Sequence, residues 1–256
     1  MAQFAIVLNE ITKSYGEHLD LGPVSLALPV GQFTALVGPS GSGKTTLLKI
    51  INRLVPPDAG QIEIQGQNAT TTADHLLRRQ IGYVFQEIGL FPHMTVAENI
   101  AITPKLLGWP ADKISARVAN LLGLVDLPAE LAARFPAQLS GGQRQRVGVA
   151  RALAAQPQIL LMDEPFGALD PATRQALGRD VRGLHDQLGL TTVMVTHDMT
   201  EAILLADQVI VLKDGKILAK GTPSALAGSS IVEVAAMMDG PRRQAEQLRV
   251  KLGVSS

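Results

Sequence analysis

The chain has 256 residues, 46% of them hydrophobic, so it can bury a large core in one α/β unit or in a core with an inserted subdomain. Its 23 basic and 23 acidic residues cancel, which leaves none of the basic excess of a nucleic-acid-binding protein. It has no cysteine, which excludes disulfides and thiolate metal sites, and no apolar run near the roughly 18 residues of a spanning helix.

The N-terminal third alternates between predicted strands and one predicted helix. Phe33–Val37 is an apolar run that ends at Gly38-Pro39, and a helical pattern over Thr45–Leu54 follows. This order predicts a strand, a glycine-rich loop and a helix. The other strands predicted before residue 87 are Phe4–Leu8, Val24–Leu28, Ile62–Ile64 and Ile81–Phe85.

The pattern becomes helical between about residues 87 and 156 and then returns to strands. Helices are predicted over Thr95–Ala101, Asp112–Leu122, Ser140–Ala155 and, beyond this stretch, Pro171–Leu188. Strands are predicted at Ile159–Met162, Thr191–Thr196 and Gln208–Leu212, with a tight hairpin turn at Asp214-Gly215. This βαβ alternation predicts a mostly parallel sheet, interrupted by a helical subdomain.

The glycine-rich loop fits the phosphate-loop pattern G-x-x-x-x-G-K-[ST]. Its glycines let backbone N–H groups surround phosphate oxygens, and the helix that follows directs its positive end at the same anion. Lys44 should reach the β- and γ-phosphates, and the Thr45 hydroxyl should bind Mg²⁺. The predicted ATP-binding residues of this loop are Gly38, Pro39, Ser40, Gly41, Ser42, Gly43, Lys44, Thr45 and Thr46.

Polar residues end three of the predicted strands at the ligand-binding edge of the sheet. Asp163 and Glu164 follow an apolar strand, and we predict that Asp163 binds the metal while Glu164 is the general base. His197 could hold the γ-phosphate and the attacking water, and the Gln86 amide could touch both Mg²⁺ and water. Alternatively, Gln86 is a plain boundary residue and the acidic pair a solvated strand end.

With the sequence LSGGQ at 139–143, these motifs resemble the ATP-binding subunit of an ATP-binding cassette (ABC) transporter over roughly residues 4–223. The resemblance implies a P-loop NTPase (RecA-like) core with a mostly parallel sheet, antiparallel N-terminal strands and an inserted α-helical subdomain. It also implies that Tyr15 stacks on adenine and that Asp170 lies in a loop crossing a homodimer interface. The residues it places on the ATP of the other subunit are Ser140, Gly141, Gly142 and Gln143.

A helix N-terminus with glycine donors at Ser140–Gly142 suits an anion. Because one phosphate loop serves each ATP, this second anion site needs the nucleotide of a second copy, which a head-to-tail homodimer with two-fold symmetry supplies. The alternative is an N-cap with a purely local purpose.

The segment Gln86–Trp109 resembles importers of quaternary amines and osmoprotectants such as glycine betaine. The resemblance implies a groove for a transmembrane permease, served indirectly by a substrate-binding protein, with ATP and Mg²⁺ as cofactors. The chain would then be cytoplasmic, held at the inner face of the membrane through the permease. Alternatively, Leu90, Phe91 and Met94 fill a small core.

The predicted organisation is an ABC ATPase domain over 1–223, with its core at about 1–86 and 157–223, its helical subdomain at about 87–156 and a short helical tail at 224–256. We expect this short tail to hold none of the regulatory CBS domains that often follow cassettes of the subgroup that the chain resembles. Rival functions are another importer, a P-loop small-molecule kinase, which would not explain LSGGQ, and a non-transport cassette.

Overall fold

A computed structural model describes residues 3–16 and 18–252, in which ten strands form two sheets. The strands are β1 (Phe4–Tyr15), β2 (His18–Pro29), β3 (Phe33–Val37), β4 (Ala59–Ile64), β5 (Gln67–Asn68), β6 (Ile81–Val84), β7 (Ile159–Asp163), β8 (Thr191–Val195), β9 (Gln208–Lys213) and β10 (Lys216–Gly221).

The larger sheet has the order β10-β9-β3-β8-β7-β6 and is parallel from β9 to β6. Every residue of β3, β7 and β8 is buried, as expected for central strands covered on both faces. Only β10 runs antiparallel, joined to β9 through Asp214 and Gly215, whose positive φ angles of 48° and 72° suit the predicted hairpin turn. The mostly parallel core is confirmed.

The smaller sheet is antiparallel, with the order β2-β1-β4-β5. The antiparallel N-terminal strands are confirmed, but β1 is much longer than the predicted Phe4–Leu8. Its pairing shifts register between Leu8 and Ile11, where Glu10 has a φ of 51°. Such a bulge breaks the alternation by which a strand is recognised, so the sequence pattern hides the second half of β1.

Nine helices lie among the described residues: α1 (Lys44–Ile51), α2 (Asp74–Gln80), α3 (Val96–Leu106), α4 (Ala111–Leu124), α5 (Gly141–Leu153), α6 (Pro171–Leu188), α7 (Met199–Leu205), α8 (Pro223–Ala227) and α9 (Val232–Leu252). The bounds of α6 match the prediction. Helix α1 ends at Ile51 rather than at the predicted Leu54, because Arg53 adopts a φ of 50° and the chain turns there.

The stretch between β6 and β7 is helical throughout its regular structure, with α3, α4, α5 and two short 3-10 turns at Ala129–Ala133 and Pro136–Gln138. Its apolar side chains share one buried cluster with the large sheet, which joins Ile100 and Val147 to Ala35 and Val84. The boundaries of a separate subdomain at 87–156 therefore stay a prediction. The predicted helical tail is present as α8 and α9, while residues 253–256 lie outside the described part of the chain.

The large sheet separates two hydrophobic clusters. Helix α1 packs in the cluster that the large sheet shares with the small sheet. That second cluster packs Leu47 and Leu48 of α1 against strand residues such as Ile6 and Val193. Within the described ranges, no helix is long and apolar enough to cross a membrane.

Candidate functional site

The phosphate loop joins β3 to α1 at the carboxyl edge of the large sheet. A side chain at Gly38, where φ is 149°, would place its Cβ 2.0 Å from the Leu212 carbonyl oxygen, so this position requires glycine. Gly43 precedes α1 in the left-handed conformation and offers no side-chain cap to its first N–H groups. These donors are available to an anion.

The loop faces a cavity of about 340 Å³ at this edge. The residues that line the cavity are Tyr15, Ser40, Gly41, Gly43, Lys44, Thr45, Thr46 and Glu164. The predicted loop residues Gly38, Pro39 and Ser42 are not in its wall, and instead they surround the Lys44 ammonium group. The structure thus brings Tyr15 to the loop, as the resemblance implies.

Lys44 is only 7% exposed and folds over its own loop. Its Nζ donates to the carbonyl oxygens of Gly38 and Pro39 at 2.8 Å each and lies 3.4 Å from Ser42 Oγ. Burial lowers the Lys44 pKa, while the charges of Glu164 and Asp163 oppose that shift. The ammonium is therefore a desolvated cation beside two carboxylates, and an anionic phosphate would be a strong partner for it.

Thr45 and Asp163 form a pair of oxygen donors below the loop. The Thr45 hydroxyl donates to Asp163 Oδ1 at 2.9 Å, and Asp163 is 5% exposed. Burial raises the Asp163 pKa, against the hydrogen bond from Thr45 and the charges of Lys49 and Lys44. A hydroxyl and a carboxylate fit Mg²⁺, which is usually bound through one or two carboxylates together with substrate phosphates and water.

Glu164, Gln86 and His197 converge at one carboxylate oxygen. Glu164 Oε2 lies 3.4 Å from Gln86 Nε2 and 3.3 Å from His197 Nδ1. Glu164 has a φ of 43°, rare for a residue other than glycine, and its N–H donates to the Val195 carbonyl at 3.0 Å. The strand ends of β6, β7 and β8 thus bring together the three residues predicted to be catalytic, and their roles stay predictions.

The LSGGQ segment forms the start of α5. Ser140 Oγ accepts from the Gln143 N–H at 3.2 Å, and Gln143 Oε1 accepts from the Ser140 N–H at 2.9 Å, which is a complete capping box. A Cβ at Gly142 would lie 2.7 Å from the Thr173 methyl group, so α5 and α6 meet closely there. In the part of the chain that the structure describes, the residues lining the phosphate-loop cavity do not include Ser140, Gly141, Gly142 or Gln143.

Asp170 lies next to this segment as the N-cap of α6. Its carboxylate accepts from the Thr173 N–H at 3.0 Å, and hydrogen bonds from the Thr173 side chain and from this N–H lower the Asp170 pKa. Leu169 is the nearest side chain to Gly141, at 3.8 Å from its Cβ position. The loop of Asp170 and the LSGGQ segment thus lie side by side at the starts of α6 and α5.

Two residues that the sequence analysis did not single out hold the segment after Gln86. The fully buried Asn99 side chain accepts from the Phe91 N–H at 2.8 Å and donates to three carbonyl oxygens of residues 91–95. Arg151, on α5, donates to the Ile88 and Gly89 carbonyls at 2.5 and 2.7 Å. An arginine in the last turn of a helix gives no sequence signal for such a contact.

The same segment exposes apolar side chains. Phe91 is 44% exposed and Leu106 is 64% exposed, whereas Leu90 packs against the large cluster. Leu90 therefore packs into the large cluster rather than a small local core, and the packing alternative does not describe the exposed Phe91.

A third residue, Lys13, was also not predicted and contacts the predicted adenine-stacking side chain. Lys13 Nζ lies 5.6 Å from the centre of the Tyr15 ring and is held by Asp58 at 2.6 Å. The spacing Lys-x-Tyr on a strand, with both side chains on one face, is the signal that could have found it.

Known proteins show similarity over most of the chain. Residues 21–167 match the family described as ABC transporter. A choline transport ATP-binding protein, OpuBA of Bacillus subtilis, is 51% identical over 219 residues, 85% of this chain and 58% of that protein. A sulfate/thiosulfate import ATP-binding protein, CysA of Synechocystis, is 49% identical over 218 residues, 85% of this chain and 61% of that protein.

Solved structures agree with these matches. A dimeric post-hydrolysis state of the ATP-binding cassette MJ0796, bound to ADP and Pi, superposes with a TM-score of 0.77 at 36% identity, over 85% of this chain and 98% of that one. The chain of cbiO1 from Clostridium perfringens superposes with a TM-score of 0.83 at 27% identity, over 96% and 99%. This chain spans a little over half the length of the first curated relatives it matches.

Proposed function

The chain belongs to the ABC transporter family, and from this premise we propose that it is the ATP-binding and ATP-hydrolysing subunit of an importer for a quaternary-amine osmoprotectant. The single observation that carries the hydrolytic part is the convergence of Gln86 and His197 on Glu164 Oε2, beside the phosphate loop. A binding module would need the loop but not this second group of residues.

In the proposed reaction the loop N–H groups and Lys44 bind the β- and γ-phosphates of ATP. Thr45 and Asp163 would hold Mg²⁺, with Gln86 as a further ligand, and the ion would neutralise charge that develops on the phosphates. Glu164 takes a proton from the attacking water while His197 and the Gln86 amide hold that water in line. The water oxygen bonds to the γ-phosphorus, and the bond from that phosphorus to the bridging oxygen breaks, so that ADP leaves. Tyr15 stacks on the adenine ring.

The reaction requires a second copy of the chain in this proposal. Ser140, Gly141, Gly142 and Gln143 would contact the ATP held by the partner's phosphate loop, and Asp170 would lie at the interface. Two observations support this. Among the described residues, none of these four lines the chain's own phosphate-loop cavity, and Ser140 is exposed and so accessible to a partner. ATP binding would close the pair, and hydrolysis would let it open, because the nucleotide favours the closed state only while it bridges both copies.

Transport would follow from a permease docked on the Gln86–Trp109 segment, so that the chain works at the inner face of the membrane beside a substrate-binding protein. The exposed Phe91 and Leu106 support this contact surface. The osmoprotectant class rests on relatives named for choline, carnitine and glycine betaine. A sulfate importer subunit is almost equally similar, so an importer of another solute is the second candidate.

The sharpest test is Glu164→Gln, with Glu87→Gln as the matched control on an exposed neighbour of Gln86. We expect Glu164→Gln to bind ATP but to hydrolyse it about 10²–10⁴ times more slowly, the usual contribution of a general base. It should also form a long-lived dimer with Mg-ATP in size-exclusion chromatography with light scattering. Wild-type turnover in this variant would exclude Glu164 as the base, and a permanent monomer would exclude the shared site.

A further inference from the structure

Arg174, in the first turn of α6, joins two loops that both reach the candidate site. Its Nη2 donates to the Leu169 carbonyl at 3.1 Å, and its Nη1 lies 3.5 Å from the Asp198 carboxylate. Leu169 precedes Asp170, and Asp198 follows His197. One side chain therefore connects the loop of Asp170 to the strand end that carries His197.

The connection to Asp198 reaches both sides of His197. The Asp198 N–H donates to Thr196 Oγ1 at 3.0 Å, and its carboxylate caps α7 by accepting from the Thr200 N–H at 2.7 Å. The Thr196 hydroxyl in turn donates to Glu201 Oε2 at 2.5 Å. Because these bonds form one network, a shift of Asp198 would move the backbone on which His197 is carried.

Arg174 is also the cation that faces two carboxylates in this network. Its Nε lies 3.8 Å from Glu201 Oε1. Burial raises the Glu201 pKa and the Asp198 charge adds to this, while the Arg174 charge opposes it. Without the guanidinium, Asp198 and Glu201 would repel each other with no cation between them, and the loop would relax outward.

The distance that a shift of this backbone would change is the one between His197 and Glu164. His197 Nδ1 lies 3.3 Å from Glu164 Oε2, already at the long end of hydrogen-bond range. A displacement of about 1 Å in a reacting geometry can slow a reaction roughly 100-fold. A residue that fixes the backbone beside His197 can thus control the rate without touching the substrate.

We propose that Arg174 is a positioning residue that holds His197 in register with the loop of Asp170, so that partner contact at that loop sets the hydrolytic geometry. The inference rests on the proposed ATPase function and deepens it, since it assigns a route from the dimer interface to the reacting atoms. Arg174 itself does not line the phosphate-loop cavity in the described part of the chain.

A second arginine on the same helix gives a matched control. Arg182 has a side chain 28% exposed, against 27% for Arg174, and likewise bonds a backbone carbonyl and carboxylates. Its partners are Leu205, Asp186 and Asp207, none of which belongs to the loop of Asp170 or to the strand end that carries His197. A purely structural contribution of an α6 arginine would affect both positions alike.

The test measures ATP turnover and ATP KM in the full chain for Arg174→Gln, Arg174→Lys and Arg182→Gln, each with and without His197→Ala. We expect Arg174→Gln to lower kcat about 10–100-fold with KM unchanged, and to lower it less than about threefold when His197 is already removed. Arg174→Lys keeps the positive charge but loses the planar guanidinium that bonds two partners at once, so its kcat should fall about 3–10-fold. Arg182→Gln should keep wild-type kcat.

Three results would overturn the inference: an unchanged kcat in Arg174→Gln, an equal loss with and without His197, or an equal loss in Arg182→Gln. If Arg174→Gln does not fold, the Lys variant decides the question by the same comparison with His197→Ala. A wild-type chain that hydrolyses no ATP would instead refute the proposed function, so the two failures are distinct.

Discussion

Helices α1 and α5 both have glycine at or directly before their first residue, but their first turns are built in opposite ways. Gly43 precedes α1 with a φ of 92° and no side-chain cap, and the neighbouring Lys44 and Asp163 are buried charges. Ser140 precedes α5 with a complete capping box closed by Gln143. The first start leaves donors for a ligand at a cost to stability, whereas the second is satisfied within the chain.

The capping box does not prevent Ser140 from binding an anion. A hydroxyl has one donor and two acceptor positions, and Ser140 Oγ uses an acceptor position for the Gln143 N–H. Its own hydrogen remains available to a phosphate oxygen of a second copy. The α5 start is therefore suited to a ligand that arrives with a partner, and the α1 start to one that the chain binds alone.

The largest expected effect of this difference is the loss of ATP binding at the α1 start. Lys44→Ala removes the buried ammonium, and we expect the Kd for Mg-ATP, measured by titration calorimetry, to rise about 100-fold or more, since a charged hydrogen bond to a phosphate contributes about 1.5–3 kcal/mol and its loss leaves the carboxylates unopposed. The exposed Lys105 on α3 gives the control, Lys105→Ala, which should bind normally. Unchanged affinity in Lys44→Ala would refute the phosphate-loop assignment.

The second effect separates binding from assembly. Ser140→Arg places a bulky cation at the exposed α5 start, and we expect ATP affinity of the monomer to stay within about twofold of wild type, because the residue is absent from the described cavity wall. ATP-dependent dimers, followed by light scattering in a Glu164→Gln background, should disappear. Dimers formed as readily as without the substitution would exclude the α5 start from the interface.

The two helix starts also differ in how much of their role can be predicted from the sequence. The phosphate loop is local: strand, glycines, lysine and helix follow one another within residues 33–51, so element type and site residues are predicted together. The strands of the parallel core are likewise predicted from runs of apolar residues, and α6 is predicted as the helix between two of them. The antiparallel N-terminal strands follow only from the family resemblance, because β1 pairs with β4 some fifty residues away through a bulged register that no local pattern encodes.

Two arginines that the sequence analysis missed act through contacts with backbone carbonyls, one of them far away in the sequence. Arg151 and Arg174 stand on helical faces where an arginine usually meets solvent, yet they bond carbonyls of Ile88 and Leu169. The three strand-end residues Gln86, Glu164 and His197 were predicted because the carboxyl edge of a parallel sheet collects them. Their convergence on a single oxygen required the structure.

A smaller effect concerns the stability that the capping box gives to α5. Ser140→Ala should lower the free energy of unfolding by about 1 kcal/mol, the usual loss on removing an N-cap hydroxyl. Thr95→Ala removes the equivalent hydroxyl from the capping box of α3 and should cost a similar amount. Denaturant unfolding measures both losses of stability. Only Ser140→Ala should also weaken the ATP-dependent dimer. If both variants dimerised to the same extent, Ser140 would only cap α5 and would not contact the partner's ATP.

The smallest effect has the opposite sign and belongs to the α1 start. Burial raises the pKa of Asp163 above its ordinary value of 3.8, so the folded state is penalised progressively as pH rises through the unfolded and then the folded pKa. Asp163→Asn keeps an oxygen for the Thr45 hydroxyl and removes this penalty. Without nucleotide, the variant should be more stable than wild type by about 0.5 kcal/mol at pH 7, with a smaller gap near pH 4.

The same substitution should abolish Mg²⁺-dependent turnover, because the carboxylate is the predicted metal ligand. Urea unfolding at the two pH values measures the stability difference. Asp180→Asn is the control, because it removes a carboxylate that pairs with Arg146 on the helix surface. An effect of burial should appear in Asp163→Asn alone, whereas a general effect of charge should appear in both variants. If the stability difference between Asp163→Asn and wild type narrowed toward pH 7, the charges of Lys44 and Lys49 would stabilise the Asp163 carboxylate more than its burial destabilises it. In that case the α1 start would be stabilised by its charges, and the contrast with α5 would lie only in which copy supplies the ligand.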